Sequence, residues 1–231
     1  MPRLSEHRHL LLLGATLLVL VTQPLVAPGS SVARLVYELL VALTAVGVLL
    51  VVFTFGWERR VAVMLAVPAI VLTVFRYALP EGILAPYVVT YHASVALFLA
   101  FAVGVIVRDI FLVRAITLDA LLGAFAGYLL LGVAWGGLYA AVELLAPGSF
   151  SISPEVRWQL DDWHLRRALF NYFSLTTMAT IGYSDITAIS PLAITLSWLE
   201  IIVAQFYLAV VIAQIVGLKL AQAIGAGGGS G

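Results

Sequence analysis

Six long apolar runs constrain this chain more than any other feature. They cover residues 10–27, 32–55, 61–79, 86–107, 116–146 and 192–220. About twenty apolar residues carry a helix across a bilayer core, and a helix is favoured there because it satisfies its own backbone. The rest of the composition agrees: 63% of the residues are hydrophobic, 10% are charged, and mean hydropathy is +1.10. Soluble domains carry about a quarter charged residues, so a multi-pass, all-α membrane protein is expected. The chain has no cysteine, which excludes disulfides and thiolate chemistry. Its formal net charge is zero and it has no basic run, so nucleic acid is not an expected partner. His7, His9, His92 and His164 are scattered. Only His7 and His9 are close, in what reads as a solvated tail, so neither a metal site nor a cofactor is expected.

Charge placement orients the runs. Arg3 and Arg8 precede the first, Arg59 and Arg60 separate the second from the third, Arg108 and Arg114 separate the fourth from the fifth, and Lys219 ends the sixth. Arg34 and Arg76 are the exceptions. The positive-inside bias then puts both termini in the cytoplasm and the long connection after the fifth run outside. The first run is expected to be a retained helix rather than a signal peptide, because it is long and no A-x-A site follows it. The domains expected are a four-helix segment over 1–115, a second unit over 116–222 and a flexible Gly-rich tail over 223–231.

Between the fifth and sixth runs lie about forty-five residues, the one long irregular stretch, and connections of that length are usually functional. Residues 147–167 are polar and mixed. Residues 165–180 have helix-compatible apolar spacing, with Asp161 or Asp162 available as the cap. This helix is too short to cross, so it is expected to dip in and end where "TIGYSD" (180–185) begins. Irregular backbone at membrane depth is tolerated only where protein buries it or water and ions line it. An extended segment passing through Gly182 could aim several carbonyls at one axis. Four copies would then build oxygen cages that replace the water shell of a potassium ion. Thr180 would add a hydroxyl, and Tyr183 would wedge outward against the aromatics Phe170, Tyr172 and Phe173.

The "TIGYSD" stretch resembles the pore signature of tetrameric potassium channels, T-V/I-G-Y-G-D, at Thr180, Ile181, Gly182, Tyr183 and Asp185. The sixth run, "WLEIIVAQFYLAVVIAQIVGL", is similar to the inner helix of small bacterial members. The resemblance implies a homotetramer in the plasma membrane, the inner membrane of a bacterium, that binds K+ through the carbonyls of Thr180, Ile181, Gly182 and Tyr183. It also implies an aromatic cuff of Tyr172 and Phe173, an Asp185–Tyr172 contact, and Thr176 where some members carry a glutamate. Ser184 departs from the family glycine. If that residue is left-handed it costs about 1 kcal/mol or more and weakens the outermost ion site.

Other residues fill supporting roles. Glu200, two turns into the sixth run, is expected to hydrogen-bond the pore helix near Thr176 or Thr177. Ala204, Leu208, Val211 and Ile215 recur at helical spacing, either as a cavity or gate wall or as packing residues. Gly123 with Gly127, and Gly132 with Gly136, form small-xxx-small pairs suited to close packing on the sixth run or on a neighbouring subunit. Arg76 could pair with Glu38, and His92 is expected to be structural. The fourth run has Arg108 and Arg114 only at its inner end. One charge crossing 100 mV gives about 2.3 kcal/mol, so little voltage dependence is expected. No sensing module is expected after the sixth run. A passive potassium channel is the leading expectation. A weakly selective monovalent cation channel and a non-conducting membrane sensor or scaffold are the alternatives, and an enzyme is not supported.

Overall fold

The computed structural model describes residues 8–23, 31–52, 56–75, 84–112 and 117–227. Arg3, His7, Arg76, Arg114 and the turn residues at 28–30 and 80–82 lie outside them, and so does the expected Arg76–Glu38 pairing. Eight helices follow in order: α1 Arg8–Thr22, α2 Ser31–Val52, α3 Trp57–Phe75, α4 Leu84–Leu112, α5 Leu118–Leu145, the single turn α6 Pro154–Arg157, α7 Trp163–Met178 and α8 Pro191–Gly227. Strands β1 Phe150–Ile152 and β2 Ile186–Ala188 and a 3-10 turn, Trp158–Asp161, are the other elements among the described residues. Three described helical segments are long and apolar enough to cross a membrane: Val89–Leu112, Leu118–Leu145 and Pro191–Gln222. The apolar stretches His9–Thr22 and Leu35–Leu50 are shorter. Helix α8 continues to Gly227, beyond the point where the sequence suggests a flexible tail.

Helix α5 is apolar on every face, as a buried helix should be, and it packs on α1, α4 and α7. Thr117 caps its start by accepting from the Ala120 amide at 3.1 Å. Two glycines set its distance from α7. A Cβ on Gly136 would sit 2.8 Å from the Asn171 Cα and 2.9 Å from its nitrogen, and one on Gly132 would sit 2.6 Å from Leu175. The second small pair therefore packs on α7, inside the chain. Gly127 of the first pair lies under Tyr207 of α8, whose hydroxyl donates to the Ala124 carbonyl at 2.6 Å. His9 is not a solvated tail residue. It is half-buried, its Nδ1 lies 2.7 Å from Asp119 Oδ2, and this ties the start of α1 to the start of α5.

The apolar interior has two main parts. One lies among α1, α2, α3, α4, α5 and α8, and Met178 at the end of α7 joins it. The other gathers Tyr139, Phe150, Phe170, Phe173 and Ile186 beneath the segment between α5 and α8. Each fully buried large apolar side chain contributes about 1.5–3 kcal/mol, and Tyr139 and Phe170 are both 0% exposed. Of the three helices long enough to span, α8 is covered least: 17% of its apolar stretch is buried, against 44% for α4 and 61% for α5.

Candidate functional site

Helix α7 begins with Asp162, which accepts from the His164 amide at 2.8 Å and the Leu165 amide at 3.3 Å. Of the two aspartates that could cap it, Asp162 is the one used. Its end is equally well defined. The Thr180 amide donates to the Thr177 carbonyl and the Ile181 amide to the Thr176 carbonyl, both at 2.9 Å. That pair of bonds is the Schellman termination, which needs a left-handed residue and normally recruits glycine. Here the left-handed residue is Thr180, at φ 57°. A β-branched side chain in that region is an outlier and costs about 1–3 kcal/mol. The strain sits at the junction between α7 and the 180–185 loop.

The loop keeps this pattern. Thr180, Gly182 and Ser184 have φ of 57°, 60° and 67°, while Ile181 and Tyr183 between them do not enter the left-handed region. Alternating handedness lines up successive N–H groups on one side of a chain and leaves the carbonyls on the other. The Thr180 hydroxyl donates to the Ala179 carbonyl at 2.7 Å, and the Ser184 hydroxyl reaches the Gly182 carbonyl at 3.5 Å. Ile181 is 53% exposed and Tyr183 65%, so the single chain leaves an apolar loop uncovered.

Behind the loop, Tyr183 stacks on Tyr172, with ring centroids 6.3 Å apart and planes 8° from parallel. The Tyr172 phenol also meets the Asp185 carboxylate. Desolvation first, and then this hydrogen bond, push the phenol up to about 12. Phe173 turns the other way and is buried against Tyr139 and Phe150. The loop exit is held by a two-stranded antiparallel ladder with Phe150 opposite Ala188 and Ile152 opposite Ile186. The Ser153 amide donates to the Asp185 carbonyl at 2.9 Å, and the Ile189 and Ser190 amides both reach the Ser149 carbonyl. Glu143, near the end of α5, accepts from the Gly148 and Phe150 amides and fixes the start of the segment.

Glu200 is fully buried and does reach α7, but at Ser174, two residues before Thr176. Its Oε1 accepts from the Ser174 hydroxyl at 2.5 Å and its Oε2 from the Tyr139 hydroxyl at 2.6 Å. Ser174 Oγ also lies 2.8 Å from the Gly132 carbonyl. The reason is facial. Ser174 is on the buried side of α7, whereas Thr176 turns its hydroxyl back to the Tyr172 and Phe173 carbonyls and Thr177 is only half-buried. One carboxyl group therefore joins α5, α7 and α8. Gln205 adds a second tie from α8, to the Met178 carbonyl at 3.3 Å.

The four recurring α8 residues face inward. Ala204 and Val211 are buried, and Leu208 and Ile215 pack half-buried on the same interior of the chain. Within the single chain their stripe is the side of α8 that packs on α4 and α5. The uncovered side carries Trp198, Ile202, Phe206 and Ile212. Among the leading helices, His92 is buried, with its ring 5.0 Å from Trp163 and 5.2 Å from Tyr91. Glu38 lies 3.8 Å from His164. Sequence reasoning missed Ser174, Tyr139 and Arg167. Each sits in an apolar or mixed run where only the burial pattern along α5 and α7 could have marked it.

No curated protein and no solved structure matches the chain. Residues 126–218 match the family model described as "Ion channel", a stretch that begins inside α5 and ends inside α8. The segment holding α7, the alternating loop and Glu200 is thus similar to ion channels, which are membrane transport proteins and not enzymes.

Proposed function

We propose that this protein is a potassium channel subunit and that four copies meet around the 180–185 loop. The observation that carries the reading is the alternation of left-handed backbone at Thr180, Gly182 and Ser184, directly after the Schellman end of α7. A carbonyl row on one side of such a loop, repeated around an axis, can replace the hydration shell of K+. The C-terminal end of α7 adds the negative end of its dipole nearby. Thr180, Ile181, Gly182 and Tyr183 would hold the ion, with Tyr172, Phe173, Asp185 and Glu200 as supports. The uncovered faces of the loop and of α8 support association with further copies.

In this reading the chain crosses the membrane six times, with both termini in the cytoplasm and α7 entering from outside without crossing. Residues 1–115 and 116–222 act as a leading four-helix unit and a pore unit. Planar-bilayer recording with K+ and Na+ on opposite sides tests the function. A reversal potential near that of K+ is expected, and Gly182→Ala should abolish the current. No current from reconstituted protein would sink the proposal. The left-handed Ser184 supports a second reading, a weakly selective monovalent cation channel, which the same recording would reveal as a reversal potential near zero.

A further inference from the structure

The C-terminal end of α7 leaves four backbone carbonyls over, as every helix does. Three are taken as the chain turns into the loop: Leu175 by the Ala179 amide at 3.0 Å, Thr176 by Ile181 and Thr177 by Thr180. The fourth, on Met178, receives no backbone amide among the described residues. A side chain of another helix takes it: Gln205 of α8 donates from Nε2 at 3.3 Å. The Gln205 Oε1 makes no hydrogen bond among the described residues, although an amide oxygen has two lone pairs to fill.

The position of Gln205 on α8 is as telling as its bond. From Trp198 to Gly217 the exposed positions of α8 are apolar or glycine, apart from Gln205. It stands about 21 Å along the helix axis from Pro191, deep in a hydrocarbon core about 30 Å thick. An amide facing lipid at that depth is costly, so Gln205 needs water or a polar group beside it. Its partner Met178 lies two residues before Thr180, which puts the exposed amide directly beneath the deep end of the 180–185 loop.

On the channel reading above, we propose that one side of α8, carrying Gln205, Ala209, Ile212 and Val216, lines a water-filled ion path below the loop, and that Gln205 sets how readily cations enter the loop from it. These four residues fall within about 60° of one another around the helix, whereas Phe206 stands about 100° from Gln205 and faces neighbouring copies. The bond to Met178 holds the amide in place, so that its oxygen gives a hydrated cation a first polar contact below the loop.

The chain has no cysteine, so one introduced thiol is the only thiol present. Gln205→Cys, Ala209→Cys, Ile212→Cys and Phe206→Cys, each in the full chain in liposomes, are treated from the cytoplasmic side with a charged, membrane-impermeant methanethiosulfonate. Labelling is read by intact mass spectrometry and needs no current. The first three should be labelled and Phe206→Cys should not. Ala209→Cys and Ile212→Cys leave the Gln205–Met178 bond intact, and if both stay unlabelled, or react no faster than Phe206→Cys, the assignment is overturned. In bilayers a cationic reagent on Gln205→Cys should lower the single-channel K+ current at least about twofold, and an anionic one should raise it. Ala209→Cys carries the same comparison with Gln205 in place. Equal effects of the two reagents would make this side a packing surface away from the ions. Wild-type current without labelling sinks this inference alone, whereas labelling without wild-type current leaves the water-filled side standing and sinks the channel reading.

Discussion

Thr180 and Ser184 hold a backbone that serine and threonine avoid. At Thr180 two hydrogen bonds from the Schellman termination hold the conformation. At Ser184 the compensation among the described residues is a 3.5 Å approach of its hydroxyl to the Gly182 carbonyl. Ser184→Gly should therefore stabilise the protein by about 0.5–1 kcal/mol once the extra freedom of the unfolded glycine is deducted. The measurement is a rise in Tm, and in bilayers the K+ over Na+ preference should sharpen with it. A lower Tm would mean that the hydroxyl contributes more than the strain costs. Glu200 permits a paired comparison. Glu200→Ala strips the acceptor from a buried Tyr139 hydroxyl, a loss of about 1–3 kcal/mol. Glu200→Gln keeps an acceptor for Tyr139 and offers an amide to Ser174, so its Tm should fall much less. Equal losses would show that the carboxyl group is not the tie between α5, α7 and α8.

Helices α5 and α7 are held close by the absence of side chains. Gly136→Ala would drive a methyl into the Asn171 backbone, which cannot swing aside as a side-chain tip could. It should cost at least about 1–3 kcal/mol and reduce conduction by shifting the helix that ends in the 180–185 loop. Full stability with full current would show that α7 can move outward freely. The elements differ in how far the sequence reveals them. The glycine spacing, the α7 cap at Asp162 and the special backbone of Gly182 rest on local chemistry and are legible. The β1–β2 ladder is not: three residues on each side are too few to show alternation, and the partners lie far apart in sequence. Ser174 as the partner of Glu200 is hidden for another reason, because it depends on which face of α7 turns inward. The glycines also left their partner open. Sequence suggested α8 or another subunit, and α7 takes the second pair because its Asn171 and Leu175 fit the groove.

At the scale of the whole molecule, the one basic residue of α4, Arg108, stands near the end of that helix. The exposed guanidinium of Arg108 is bonded to both Glu58 and Asp109 at the end of α4. A voltage sensor needs several charges per subunit moving through the field, each contributing about 2.3 kcal/mol per 100 mV. Open probability should then stay flat across a voltage ramp, and steep activation would mean that charges outside the described helices move through the field. Helix α8 gives a complementary expectation. Its apolar side, with Trp198, Ile202 and Phe206, is uncovered in the single chain, and cross-linking in native membranes should trap this side against other copies.

The ladder between β1 and β2 has a mechanical consequence. It ties the entrance of the excursion to its exit, so 150–152 and 186–188 form a clasp around everything between them. Tension applied at the outer rim would load this clasp before it reached the strained residues inside. Unzipping six residues becomes the first event in any splaying of the mouth.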